Sequence, residues 1–164
     1  MSKLHRLAFT ALVSAALGLV LPDPVSAHDA ERFALDFRDA PRGTVLWGTL
    51  AKVGVRRENG NLIPSFLAPL PAMDGQRIVL YGYMTARPET KLQKRFLLSP
   101  RPIFCGDCAP VGPEEIVEVI LDRPTPATDR PLIVRGKLAL LKSAPDNLLY
   151  RLEDATVLRT SHSH

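Results

Sequence analysis

Proline and glycine cut this chain into pieces too short for a helical bundle. The sequence carries 15 prolines and 10 glycines, and from residue 28 onward the pieces between them suit five or six short strands with at most one or two short helices. "QRIVLYGYMTA" (Gln76 to Ala86) follows the turn signal "MDG" and is dense in β-formers. "KRFLLSP" is a short strand stopped by Pro100, and "EIVEVILD" sets Ile116, Val117, Val119 and Ile120 around Glu118 as a half-buried strand would. "RPLIVRGKLALL" and "LLYRLEDATVLR" read as two more strands, joined by the turn-forming "SAPDN".

The earlier pieces are less regular. "TVLWGTLAKVGV" reads either as a helix capped by Thr44, with Leu46, Trp47, Leu50 and Val53 on one face, or as the start of a strand. Both readings of residues 44–52 stay open. "LIPSFLAPL" holds two prolines and is at most an edge strand or an irregular crossing.

Gly82 and Gly136 fall in the middle of strands, where a glycine marks a bulge or a tight bend at a barrel corner. Five or six short strands with one or two short helices, two of the strands bent in this way, predict a mainly β fold. The expected form is a small OB-like β-barrel of about five strands.

The first residues predict export. Lys3, His5 and Arg6 precede the uncharged run Leu7 to Leu21, prolines 22 and 24 break it, and Val25, Ser26 and Ala27 offer the small residues that signal peptidase reads. That run is short for a membrane span, which needs ~20 apolar residues. The expected organisation is a signal peptide over 1–27, a lead-in segment over 28–43 with room for one short helix, a barrel domain over 44–159 and a polar tail over 160–164. The expected location is the periplasm or outside the cell, with no membrane insertion after cleavage.

Cleavage would remove two of the 21 basic and one of the 17 acidic residues, leaving a mildly basic chain. Its charges are interleaved, as in "VRRENG" and "KLQKR", so nucleic-acid binding is not indicated. Acids such as Glu114, Glu115, Glu118, Asp122, Glu153 and Asp154 are expected at solvated strand ends. Signatures of hydrolases, zinc peptidases and phosphate-binding loops are missing from the sequence, so the chain is read as a protein without enzymatic activity.

Cys105 and Cys108 are its two cysteines, in the proline-rich stretch "RPIFCGDCAPVGPEE". An oxidising compartment favours a disulfide between them, and a four-residue ring contributes only about 2 kcal/mol. A metal site needs further ligands. The weak candidates are His28, His162 and His164, for zinc or copper. A redox pair needs a thiolate of lowered pKa; Arg101 would favour one, Asp107 would oppose it, and Pro110 and Pro113 disfavour the helix that usually follows such a motif. The disulfide is the leading reading; metal handling and thiol–disulfide exchange are its alternatives.

Trp47, Phe66, Tyr81, Tyr83 and Tyr150 offer a stacking platform on a barrel face, with core packing as the simpler role for Trp47 and Phe66. Tyr81 and Tyr83 share one face of their strand and are candidates for an outward binding surface.

The order "GYM" (residues 82–84), "FLL" (96–98), the block of Cys105, Cys108, Pro110, Gly112 and Pro113, "IVEVIL" and "VRGKLAL" resembles an exported bacterial family known as a domain of unknown function. The likeness runs from about Trp47 to about Val157. It implies an OB-like barrel behind a secretory or lipoprotein signal, and a link to an envelope transport system of the ATP-binding-cassette type. It supplies no catalytic residue.

A single intact-mass measurement tests export and the cysteine reading together. Periplasmic protein should begin at His28 and carry no alkylatable thiol; protein retaining residues 1–27, or two reactive thiols after air exposure, would contradict them.

Overall fold

A computed structural model describes residues 40–103, 110–143 and 146–158. Residues 1–27, expected to form a signal peptide, and Cys105, Cys108, His28, His162 and His164 lie outside these residues. Among the described residues no helix is long and apolar enough to cross a membrane.

The fold is mainly β, with two short α-helices among the described residues. In chain order they are α1 (Trp47–Leu50), β1 (Val53–Glu58), β2 (Asn61–Phe66), α2 (Leu70–Met73), β3 (Arg77–Thr85), β4 (Leu92–Ser99), a 3-10 turn (Pro113–Glu115), β5 (Val117–Pro126), β6 (Leu132–Leu140) and β7 (Tyr150–Leu158). Strands β3 to β7 close a five-stranded barrel in the order β3-β4-β5-β7-β6. All neighbours are antiparallel except β5 and β7, which run parallel. Numbered within the barrel the order is 1-2-3-5-4, the Greek-key path of an OB-fold.

Alternation along each strand fills the barrel. Ile78, Leu80 and Met84 of β3, Phe96 and Leu98 of β4, Val117, Val119 and Leu121 of β5, Val134 and Leu138 of β6, and Leu152 and Ala155 of β7 are buried in one cluster.

The two glycines in the barrel strands have different jobs. β3 pairs with β6 from Arg77 to Gly82 and with β4 from Tyr83 to Thr85, so Gly82 sits where the strand changes partner. A Cβ there would stand 2.6 Å from the Ser99 carbonyl oxygen and 3.0 Å from the Trp47 ring. Gly136 faces a bulge on the neighbouring strand: between Arg135 and Lys137 the β6–β7 register shifts, and on β7 Asp154 takes a left-handed backbone with φ of 47°. Glycine's lack of a Cβ lets Ala155 and the Glu153 carbonyl approach it, each 3.0 Å from where a Cβ would lie.

Within residues 44–52 the structure forms one short helix, Trp47–Leu50, and the strand begins only at Val53, so the helix reading describes this segment and the strand reading does not. Thr44 is not the cap. Its hydroxyl donates to the Pro41 carbonyl at 2.8 Å, Leu46 occupies the cap position, and Leu46 is 41% exposed instead of facing the core. Trp47 and Leu50 are buried as their spacing predicts. Pro64 lies in an extra two-stranded sheet, β1–β2, joined by Asn59-Gly60 with positive φ at both residues. That Asn-Gly pair is the signal of a tight hairpin turn, and it is the element that strand patterning in this region misses.

Tyr150 fastens these early elements to the barrel. Its ring is fully buried against Phe66, with centroids 5.8 Å apart, and its hydroxyl donates to the Leu50 carbonyl. Burial, with a smaller contribution from Glu114, raises its pKa far above the ordinary tyrosine value, so it stays a neutral donor. Tyr150 is therefore core, not part of a stacking platform.

Substituting the glycines should separate crowded sites from open ones. Gly82→Ala should lower unfolding free energy by about 2–3 kcal/mol in urea denaturation. Gly54→Ala, whose nearest neighbours lie 3.9 Å away, should stay within about 0.5 kcal/mol of the parent protein.

Candidate functional site

Outward-facing residues of β4, β5 and β7 build the most structured part of the surface. On β5, Val117 and Val119 point into the core, which sends Glu118 outward between them. Registry sets Glu118 opposite Arg151 of β7 on one side and opposite Leu97 of β4 on the other, one diagonal step from Arg95. Both arginines close over it. The Arg151 Nε donates to Glu118 Oε2 at 2.6 Å, and the Arg95 Nε and Nη2 both reach Oε1. The Glu118 side chain is 4% exposed, against 46% for Arg95 and 28% for Arg151.

The loop between β3 and β4 runs along the same edge and is held by one amide. Gln93, buried at 1% exposure, accepts from the Arg87 backbone N–H at 2.9 Å through Oε1. Its Nε2 donates to the Arg87 carbonyl at 2.9 Å and to Thr90. Every polar atom of the side chain is used, so the loop has one shape over these residues.

Between this loop and the loop joining β6 to β7 lies a groove of about 570 Å³. Arg95, Leu97 and Glu118 lie on the strand side, Thr85 and Arg87 on one wall and Leu148 on the other. Glu89 and Asp146 line it from the two loops. Three other depressions of similar size, beside β5 and β7, on the β1–β2 hairpin and around Tyr83, have no buried charged side chain in their lining.

A second buried ion pair stands at the foot of the cysteine-bearing stretch. Arg101 grips Glu115 with a two-pronged fork, Nη1 to Oε1 at 3.0 Å and Nη2 to Oε2 at 3.2 Å. Glu115 is fully buried and also accepts from the Gly112 N–H at 3.1 Å, while Arg101 donates to the Pro110 carbonyl at 3.0 Å. Ser99 donates to the Arg101 carbonyl at 2.7 Å. Both ends of the stretch from Arg101 to Gly112 are thus fastened by side chains. Arg101 is engaged by the Glu115 carboxylate.

Set against the expectations, Glu115 and Glu118 are not solvated strand-end acids: each is buried because an arginine from a neighbouring element reaches it. Tyr81 and Tyr83 do share the half-buried outer face of β3, with Gly82 and Met84 on the buried one. Tyr83 lines the depression that also includes Pro102 and Asp129, away from the groove. No cluster of three or more histidine, cysteine, aspartate or glutamate side chains able to hold a metal occurs among the described residues. Arg95, Glu118 and Gln93 were not expected as site residues. The signal in the sequence is faint, a lone glutamate within the apolar run "IVEVIL" and a glutamine just before the "KRFLL" strand.

No protein-family model matches the chain, and no curated protein matches it. Among solved structures the chain is similar to a DUF3299 family protein from Pseudomonas aeruginosa PAO1, known from a crystal structure. The identity is 21%, the TM-score is 0.44, and the match covers 60% of this chain and 69% of that one.

The role of Gln93 is open to a direct test. Gln93→Leu should cost about 1–2 kcal/mol through the unpaired polar groups it leaves. Hydrogen exchange should show the Arg87 amide losing protection while the Leu80 and Val119 amides keep theirs. An unchanged Arg87 amide would mean that the loop is held by something else.

Proposed function

We propose that this protein is an exported, non-enzymatic binding or accessory module of the cell envelope, whose ligand-contacting face is the groove over β4 and β5. One observation carries the reading. The groove lies where the second and third strands of a five-stranded Greek-key barrel face outward between two loops, the position at which OB-folds take extended ligands. The size suits a short segment of chain or a small molecule, since ligand clefts fall within roughly 300–1,000 Å³.

The energetic pattern supports it. Burying Glu118 beneath two arginines adds little to stability compared with an apolar residue of similar size. It does hold two guanidinium groups still on an otherwise ordinary strand surface, which is useful for recognition. Export rests on the signal-like first residues, and the tie to an ATP-binding-cassette transport system rests on the family resemblance.

Photo-crosslinking tests the assignment of the face. A photoreactive amino acid at Leu97, in the groove, should give discrete adducts in periplasmic extract. The same group at Val55, exposed on the hairpin, should not. Adducts from Val55 with none from Leu97 would move the binding face to the hairpin.

A further inference from the structure

Two cations border the groove: a buried carboxylate holds the Arg95 guanidinium, and a buried amide holds the backbone from which Arg87 projects. Glu118 immobilises the Arg95 guanidinium by taking its Nε and Nη2 edge, leaving Nη1 without a hydrogen bond among the described residues. Gln93 immobilises the backbone that carries Arg87, through both the N–H and the carbonyl of that residue. The held Arg95 guanidinium offers its Nη1 N–H as a charged donor suited to an oxygen of a carboxylate or a phosphate, and the exposed Arg87 guanidinium adds a second positive charge beside it.

The rest of the lining narrows the ligand. Leu97, Ala86 and Leu148 supply aliphatic surface, and the one aromatic residue in the lining, Phe96, is 2% exposed. A stacking surface for sugar rings or bases is therefore not offered here. Glu89 and Asp146 add two negative charges to the lining, which disfavours a uniformly acidic polymer and suits a ligand with a single anionic group.

Resting on the groove being the binding face, we infer that it takes an extended peptide segment of a partner protein, with one carboxylate side chain seated on Arg95 and Arg87 and aliphatic neighbours on Leu97 and Leu148. The bond is a charge-assisted hydrogen bond from Arg95 Nη1, with Glu118 acting as a positioning residue that holds the guanidinium in place.

Titration by NMR with three probes tests this: the peptide acetyl-Ala-Leu-Glu-Leu-Ala-amide, its Glu→Gln counterpart, and inorganic phosphate. The glutamate peptide should shift the amides of Thr85, Arg87, Arg95 and Leu97, and the glutamine peptide should bind roughly tenfold or more weakly. Arg95→Gln should abolish that preference, and Arg87→Gln should reduce it. Both residues lie at the surface, and a preserved amide spectrum elsewhere would confirm that each variant is folded. Equal binding of the two peptides, shifts confined to other faces, or phosphate binding at Arg95 with no response to the glutamate peptide would each overturn the inference. Crosslinks from Leu97 alongside such a failure would leave the groove as the binding face and remove only the carboxylate preference. Failure of both would remove the face as well.

Discussion

The seat of Trp47 is the contact on which the barrel's closure depends. β3 gives its first six residues to β6 and its last three to β4, so the flank of its first half has no strand beside it. Two donors from the segment before the barrel satisfy that flank. The Val45 N–H donates to the Val79 carbonyl at 2.7 Å, and the Trp47 indole N–H donates to the Tyr81 carbonyl at 2.7 Å. Unpaired carbonyls there would combine the cost of buried polar groups with an open sheet edge. The ring can reach this place only because Gly82 has no side chain, and the same gap brings the Ser99 carbonyl close. One indole thus fills core volume, pairs a carbonyl and sets how sharply β3 turns.

A second layer of the structure is polar and buried, and it sorts the barrel's rim by purpose. Glu115 with Arg101 closes the base of the cysteine-bearing stretch, so the ends of that stretch are held whatever bonds its cysteines make. Glu118 with Arg95 and Arg151 stiffens the outer face of three neighbouring strands, and Gln93 shapes the loop that walls the groove. None of the buried side-chain polar atoms among the described residues lacks a partner. In each case a group that would destabilise the fold if left alone is used to fix the geometry of an exposed segment. The β1–β2 hairpin contrasts with this, for its charged pair, Arg56 and Glu58, is largely exposed and contributes little.

Much of the architecture was legible residue by residue. Period-two alternation in "RIVLYGYM" and "IVEVIL" reports which side chains enter the core, because successive side chains of a strand point to opposite faces wherever it pairs. Glycines inside two such runs signal bends, because little else tolerates the close approach of a neighbouring backbone. The Asn59-Gly60 pair was equally readable as a turn, and the proline three residues beyond Asn61 obscured it. The ambiguity of residues 44–52 was real: the segment holds one turn of helix, too short for its period to dominate, just before the strand that begins at Val53.

Sequence alone determined the β class, the strand spacing and the apolar inner face, since those follow from local propensity and from a period of two. Only the tertiary structure decided which charges are buried and where the groove lies. Glu118 meets Arg95 across 23 residues and Arg151 across 33, and Gln93 holds a loop whose course depends on how β4 is bent. Such contacts arise from strand order and register, which are settled when the barrel closes, and no local pattern in the chain encodes them.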